Sequence, residues 1–514
     1  MGFKTNSSLN KGFFERRLSY YLISLLIFSI FLFYLFNLID LINFNLSLKW
    51  FLEPAENENL VFTQHIFNAR PLDLISLIES GVLPIYPDFY HQLSSLFDWN
   101  ILSSLRAISS FSFVSSLILI FIWSKLITKS KITSLCIVLI VFGLVDHSFY
   151  FLMARVDSLY VFFGLIGLSI IFHLFYDKNY NHFTLQNYLL IFIAGFFLCL
   201  SILVKQTALF FTFYSIYIIL YFSHLSKSFK YLFTFLAGII GTMIIYSLLV
   251  NNHVLDYFLL GLNGWATDFS YLSFKSHVRE IIFSYYGYLL MIILGFYSIY
   301  HKKKIFYFWV YSFVIVFLFS TKLFGNIAAF YNNFILFTIV STLFFIYFFE
   351  SSENRVSLVM LLIISISVLF PKFYNQGFKN SFKEFQYNQV LNGNFDDHEI
   401  FKYIDKNEGE YLSGRNDNFL YFSNREIFYE SSVMSSIIPI YDEINIMKIK
   451  DPIQKLDTKI RDKINNKDFQ AIIDGINNNL SNYSKAINNH YSAHITDTIY
   501  SGRHRHEIIL YVKK

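Results

Sequence analysis

The chain has 514 residues, of which 55% are hydrophobic and 15% are charged, whereas soluble domains carry about 25% charged residues. The mean hydropathy is +0.45, and apolar runs of roughly the 20 residues that cross a bilayer as a helix recur along most of the chain. The net charge of +5 is spread over separate loops, which argues against nucleic-acid binding. Composition therefore predicts a polytopic α-helical membrane protein.

The predicted spans begin at residues 18–40, where an apolar run follows a basic N-terminal segment and reads as a signal anchor. Ten further spans are predicted at 105–127, 132–150, 158–176, 187–204, 207–223, 231–250, 281–300, 305–320, 332–349 and 356–370. Lysine and arginine concentrate in alternate loops, and this bias places the N-terminus in the cytoplasm. About eleven spans would then put the C-terminal end outside.

Two parts of the chain are expected outside the cytoplasm. Residues 41–104 form a large first outer loop within a membrane region of residues 1–370, and residues 371–514 form a polar C-terminal domain. That domain is predicted to have an α/β or α+β fold. Its β-like runs are Phe419–Phe422, Ala471–Ile473 and Ile508–Val512, and Asp451–Asn466 has helical apolar spacing.

Three carboxylates, Glu53, Glu56 and Glu58, come directly after the first span. An acidic group at a membrane surface can deprotonate an acceptor or hold a divalent cation. A solvated acidic loop is the simpler alternative. The histidines lack metal-ligand spacing, so no metal site is predicted from them, and no cofactor is required by any motif.

Charged residues also stand at predicted outer turns, where a charge beside apolar helices is costly unless it has a role. Arg155 could bind a phosphate, and Asp157 could orient it or join the acidic site. Lys205 and Lys322 interrupt turns that are otherwise poor in basic residues, which favours a bound anion. The alternative for each is a side chain that extends to the membrane interface.

Four stretches resemble motifs of the GT-C-type membrane glycosyltransferases: Pro54-Ala-Glu-Asn57, Tyr86-Pro-Asp-Phe-Tyr90, Ala154-Arg-Val-Asp-Ser-Leu159 and Val204-Lys-Gln-Thr207. The likeness is to family-39-like bacterial enzymes, which are related to protein O-mannosyltransferases and to the lipid A aminoarabinose transferase. The motifs come in the family's order. Asn57, Asp88 and Val156 depart from its pattern, and the choice between Glu56 and Glu58 stays open.

The resemblance implies an inverting glycosyltransferase on the outer face of a bacterial inner membrane. Its donor would be a polyprenyl-phosphate-linked sugar, and its acceptor a lipid, a glycan or a protein. The carboxylate that activates the acceptor would be Glu56 or, second, Glu58, with Asp157 supporting it. The absence of nucleotide-binding motifs from the sequence agrees with a lipid-linked donor.

The resemblance also implies the residues that hold the donor. Arg155, Lys205 and Lys322 would bind its phosphate, and the residues expected to line the substrate are Tyr86, Asp88, Tyr90 and Gln206. Three alternatives remain at this point. One is a ligase or polymerase of lipid-linked saccharides, and another is a flippase or transporter, although the charges lie at the ends of spans and not at mid-membrane. The third is a non-catalytic membrane scaffold, which would tolerate the loss of every outer charge.

Overall fold

The structure is a computed structural model. It describes residues 7–47, 54–68, 73–82, 84, 86–97, 99–144, 151–176, 184–223, 225–263, 286–324, 335–351, 399–414, 447–475, 480–501 and 504–514, with Leu420 and short stretches between 271 and 279. The helices in the first half of the described chain are α1 (Ser7–Ser47), α2 (Pro54–Phe67), α3 (Leu74–Glu79), α4 (Phe89–Ser94), α5 (Ile101–Thr128), α6 (Lys131–Leu144), α7 (Asp157–Phe175) and α8 (Leu185–Val204).

The remaining described elements follow in chain order. The helices are α9 (Leu209–Phe222), α10 (Leu225–Leu249), α11 (Val254–Asn263), α12 (Tyr286–Ile299), α13 (Lys303–Phe324), α14 (Ile335–Ser351), α15 (Glu399–Lys406), α16 (Met447–Asn465) and α17 (Ser484–His490). The strands are β1 (Tyr411–Ser413), β2 (Ala471–Gly475), β3 (Tyr491–Ser501) and β4 (His504–Lys513). Two 3-10 turns cover Gln206–Ala208 and Ser481–Tyr483.

Six described helices are long and apolar enough to cross a membrane. They are Ser24–Ser47, Ile101–Thr128, Asp157–Phe175, Leu185–Val204, Lys227–Leu249 and Lys303–Thr321. Three shorter apolar helices cover Lys131–Val141, Gln206–Phe222 and Ile335–Phe348. The predicted polytopic helical class is therefore confirmed, and the chain is an integral membrane protein. The predicted span at 356–370 lies outside the described residues.

The chain forms two compact units. The first comprises Met1–Phe44, Val114–Phe149 and Asp268–Phe373. Its described helices α12, α13 and α14 pack through aromatic rings around Phe344, whose centroid lies 5.0 Å from that of Phe296 and 5.2 Å from that of Trp309. Gly295 leaves the space that the Phe344 ring occupies, since a Cβ there would lie 2.3 Å from it.

The second unit comprises Asn45–Phe113, Tyr150–Thr267 and Tyr374–Lys514. Helix α8 packs along both α7 and α10 in this unit. The approach of α8 to α10 is close because glycines stand at the crossing, Gly195 on α8 and Gly238 on α10. Small residues of this kind let helix backbones approach each other in membranes.

The C-terminal part of this unit contains a four-stranded sheet in the order β1-β2-β4-β3. Strand β1 runs parallel to β2, and the other neighbours are antiparallel. The predicted strands at Ala471–Ile473 and Ile508–Val512 and the helix at Asp451–Asn466 are confirmed as β2, β4 and α16. In the predicted strand at Phe419–Phe422, the described residue Leu420 is helical and not extended, and the other residues of the run lie outside the described part of the chain.

Helix α16 has two apolar partners. Its buried residues Ile453, Leu456, Ile460 and Ile464 form one core with residues of the sheet. Ile78 of α3 belongs to the same core, with Leu74 packed against it. Helix α3 and the C-terminal sheet region therefore share apolar contacts.

Candidate functional site

Helix α2 carries both candidate carboxylates in its first turns. It begins at Pro54, because the fixed φ of proline suits the first helical position. Two residues on a helix that are two positions apart point about 200° apart. Glu56 and Glu58 therefore face different surroundings, although both are buried.

Glu56 makes a paired salt bridge to Arg106 of α5. Its Oε1 accepts from Arg106 Nε at 3.0 Å, and its Oε2 accepts from Nη2 at 2.8 Å. Arg106 Nη1 donates to the backbone oxygen of Asn45 at 2.9 Å. Both charged side chains are fully buried, and the two-pronged geometry is the one that compensates best for removing them from water.

Glu56 also holds the turn that precedes α7. Its Oε1 accepts from the backbone N–H of Ala154 at 2.7 Å. Asn59 Nδ2 donates to the backbone oxygen of Ala154 at 2.8 Å, and Ser109 Oγ donates to that of Arg155 at 2.9 Å. Side chains from α2 and α5 thus fix the backbone of the turn that carries Arg155.

Arg155, Asp157 and Lys205 come together in a buried ionic cluster. Lys205 Nζ lies 2.6 Å from Asp157 Oδ1, and Arg155 Nε lies 3.0 Å from Asp157 Oδ2. Asp157 is fully buried, and Arg155 and Lys205 are only 6% and 5% exposed. Two cations thus share one carboxylate, which leaves the three-residue cluster with an excess positive charge.

A break in the helical backbone places Lys205 in this cluster. Helix α8 ends at Val204, and Lys205 is extended, with φ −156° and ψ 132°, before the 3-10 turn at Gln206–Ala208. Its Nζ stands over the rings of Tyr86, at 5.1 Å, and Tyr160, at 5.5 Å. Ring faces attract a cation, so the two tyrosines help to hold the ammonium group there.

Glu58 belongs to the electrostatic surroundings of the same cluster. It is 6% exposed. Burial lowers the pKa of Lys205, and the negative charges of Asp157 and, to a smaller extent, Glu58 oppose that shift. Of the two candidate carboxylates on α2, Glu56 is held between Arg106 and Ala154, and Glu58 acts on Lys205.

Asp88 connects the first loop to α10 and the segment after it. It accepts from Tyr246 Oη at 3.0 Å, Asn251 Nδ2 at 2.9 Å and Gln92 Nε2 at 3.0 Å. Burial raises the pKa of the Asp88 carboxyl, against the opposing effect of these hydrogen bonds. These contacts anchor the loop.

Tyr90 and Gln206 also bond to protein groups. Tyr90 Oη donates to the backbone oxygen of Leu105 at 2.8 Å, and the side chain is fully buried. Gln206 Nε2 donates to the backbone oxygen of Tyr257 at 3.4 Å. Lys322 was predicted at a turn, but it lies in the last turn of α13, because the helix continues to Phe324; its side chain lies outside the described part of the chain.

Sequence reasoning missed Arg106. Its signal was present, because a charge inside an apolar run is rare in membrane helices and marks a function or a partner. Arg106 stands between Leu105 and Ala107 in such a run. Its partner, however, is 50 residues away along the chain.

The arrangement can hold an anion. Arginine and lysine form short, strong hydrogen bonds to phosphate oxygens, and a poorly hydrated site strengthens them. Within the ranges that the structure describes, no three His, Cys, Asp or Glu side chains are grouped as they would be to hold a metal ion.

Comparison with known proteins identifies the fold. The sequence matches no protein-family profile and no curated protein. ArnT from Cupriavidus metallidurans, solved with bound undecaprenyl phosphate, matches over 93% of this chain and 97% of its own, with a TM-score of 0.53 and 8% identity. The apo form of ArnT gives the same coverage, a TM-score of 0.51 and 7% identity.

An oligosaccharyltransferase, AglB from Archaeoglobus fulgidus in complex with an inhibitory peptide and a dolichol-phosphate, covers 95% of this chain and 74% of its own at 11% identity, with a TM-score of 0.49. The two ArnT structures establish the class. The chain has the GT-C fold of polytopic membrane glycosyltransferases. Two of the structures that share this fold with the chain are those of ArnT, the lipid A aminoarabinose transferase, and each matches over 93% of it.

Proposed function

We propose that this chain is a membrane glycosyltransferase of the GT-C type. It transfers a sugar from a polyprenyl-phosphate-linked donor to a lipid, glycan or protein acceptor at the outer face of a bacterial inner membrane, with inversion at the anomeric carbon. The observation that carries the proposal is the buried cluster of Arg155, Asp157 and Lys205. The fold shared with an ArnT structure that contains undecaprenyl phosphate supports it.

The cations of the cluster suit the leaving group. When the bond between the anomeric carbon and the phosphate oxygen breaks, the bonding electrons remain on the lipid phosphate. Arg155 and Lys205 stabilise that developing charge. Asp157 holds both cations in place before the donor binds, and its carboxylate offsets part of their positive charge.

Glu58 is the carboxylate that we assign to the acceptor. The acceptor hydroxyl or amine attacks the anomeric carbon from the face opposite the phosphate, and its proton passes to Glu58. Both oxygens of Glu56 already accept hydrogen bonds from Arg106 or Ala154. Glu58 is favoured over Glu56 for proton transfer because its charge acts on Lys205 of the ionic cluster, whereas Glu56 holds Arg106 and the turn at Ala154.

The test is transfer of radiolabelled sugar from a panel of polyprenyl-phosphate sugars by membranes that contain each variant. Glu58→Gln and Lys205→Gln are expected to lower transfer about 10²-fold or more, since one base or one anion-stabilising group contributes that much. Lys455→Gln is the matched control. Lys455 also pairs with a carboxylate at 3.0 Å, that of Glu79, but the pair is exposed, so its loss should leave transfer unchanged.

Two results would contradict the proposal. If Glu58→Gln transfers sugar like the wild type, Glu58 does not accept the proton. If the wild type consumes no donor of the panel but moves labelled lipid-linked sugar across a vesicle membrane, the protein is a transporter.

A further inference from the structure

We infer that Arg106 is a positioning residue for the site. It acts through Glu56 on the turn that carries Arg155 and Asp157. The inference rests on the proposed function, and it assigns a role to a residue that neither the motifs nor the fold comparison singles out.

The first step concerns Arg106 itself. Its side chain is fully buried, and burying a guanidinium group is costly unless the charge is paired and its N–H groups are bonded. Three of its nitrogens have acceptors, two on Glu56 and one on Asn45. The guanidinium plane therefore has one orientation, and that orientation sets the plane of the Glu56 carboxylate.

The second step leads from Glu56 to the turn. The Ala154 N–H, only 2.7 Å from Glu56 Oε1, belongs to the residue directly before Arg155. Ala154 and Arg155 are not yet helical, because α7 begins at Asp157. Besides the backbone hydrogen bond from the Arg155 N–H to the oxygen of Met153 at 2.7 Å, the turn is held by side-chain contacts, and the bond from Ala154 to Glu56 is a charge-assisted one among them.

The third step leads from the turn to the ionic cluster. Arg155 Nε and Asp157 Oδ2 are 3.0 Å apart, and Asp157 Oδ1 holds Lys205 at 2.6 Å. A shift of the turn would move Asp157 and Arg155 relative to Lys205. Arg106 therefore controls the geometry of the two phosphate-binding cations without contacting the donor.

The experiment compares Arg106→Gln with Arg106→Lys and with Ile108→Ala. Lysine keeps the charge but has no planar fork for a carboxylate. Ile108 lies on the same helix and is buried. Its truncation removes packing and no hydrogen bond of Glu56, so it controls for loss of stability alone. Transfer kinetics are measured per folded molecule, and hydrogen exchange is measured for the peptide that spans residues 152–158.

We expect Arg106→Gln to lower kcat about 10²-fold, since a misplacement of about 1 Å can cost that much. The amides of residues 154–157 should exchange faster in the same variant. Arg106→Lys should be intermediate in both measurements. Ile108→Ala should keep the wild-type kcat per folded molecule and the wild-type exchange at the turn.

The inference is overturned if Arg106→Gln leaves exchange at the turn unchanged. It is also overturned if Arg106→Gln and Ile108→Ala lose activity only in proportion to the folded fraction. Failure of the proposed function has a different signature, since the wild type then transfers sugar from no donor, while the exchange measurement still decides whether Arg106 positions the turn. Glu58→Gln separates the two roles, because it should lower transfer without a change in exchange.

Discussion

The crossing of α8 and α10 gives a sharp prediction about stability, because two glycines make it possible. A Cβ on Gly195 would lie 2.3 Å from the backbone oxygen of Phe235, and a Cβ on Gly238 would lie 2.3 Å from that of Phe192. Real Cβ atoms essentially never approach closer than 3.0 Å. A backbone oxygen cannot rotate away as a side chain can, so alanine at either position must move one helix.

The cost can be estimated from two opposing effects. Overpacking a well-packed core destabilises by about 1–3 kcal/mol, and replacing glycine by alanine inside a helix returns at most about 1 kcal/mol. Gly195→Ala and Gly238→Ala should therefore each lower stability by about 1–2 kcal/mol. Gly241 is the matched control on α10, because a Cβ there meets nothing within 4 Å, and Gly241→Ala should be neutral or stabilising.

Unfolding in detergent micelles, followed by heating or by titration with a denaturing detergent, measures these differences. The double variant of Gly195 and Gly238 should cost less than the two single costs added, because one helix shift relieves both clashes. Equal stability of Gly195→Ala and Gly241→Ala would refute the close approach.

Three further predictions concern buried groups. Asp157→Asn should lower the stability of the protein by about 3–5 kcal/mol, because it leaves two buried cations without their carboxylate. Adding Lys205→Met should recover part of that loss. A double-mutant cycle that shows no coupling between the two residues would contradict the ionic cluster. Burial lowers the pKa of His91 to about 3, so the folded state favours the neutral ring. The stability of the fold should therefore fall as the pH drops from about 6.5 towards 3, by up to about 1.4 kcal/mol per pH unit. The slope should be smaller in His91→Gln, and an identical slope would show that another group is responsible. Ile78→Ala should lower local stability by about 2–5 kcal/mol where α3 packs on α16. Limited proteolysis would detect this as faster cleavage of the C-terminal domain. Unchanged cleavage would mean that α3 does not support that domain.

The helices and their approximate places follow from the sequence because each depends on local properties. A run of about 20 apolar residues must form a helix to satisfy its backbone in lipid. Ile453, Leu456, Ile460 and Ile464 likewise predict α16, since their spacing places them on one face. The order of short motifs was also sufficient to predict the GT-C fold.

The local sequence pattern did not predict the two edge strands of the C-terminal sheet, β3 and β1. Among the described strands, β3, Tyr491–Ser501, pairs only with β4, so as an edge strand it needs few apolar residues. The three-residue strand β1 is too short to have a detectable pattern. Both depend on neighbours that lie elsewhere in the chain.

The roles of the site residues depend on the tertiary structure for the same reason. The sequence placed Glu56 and Glu58 two residues apart in one motif, as the first and second candidates for the carboxylate. Only the packing of α2 directs Glu56 to Arg106, with Glu58 acting electrostatically on Lys205. Asp157 and Lys205 are 48 residues apart in the chain, and no local pattern encodes that meeting. Composition and periodicity act over a few turns of helix, whereas an ion pair between two elements exists only once their packing has brought the charges together.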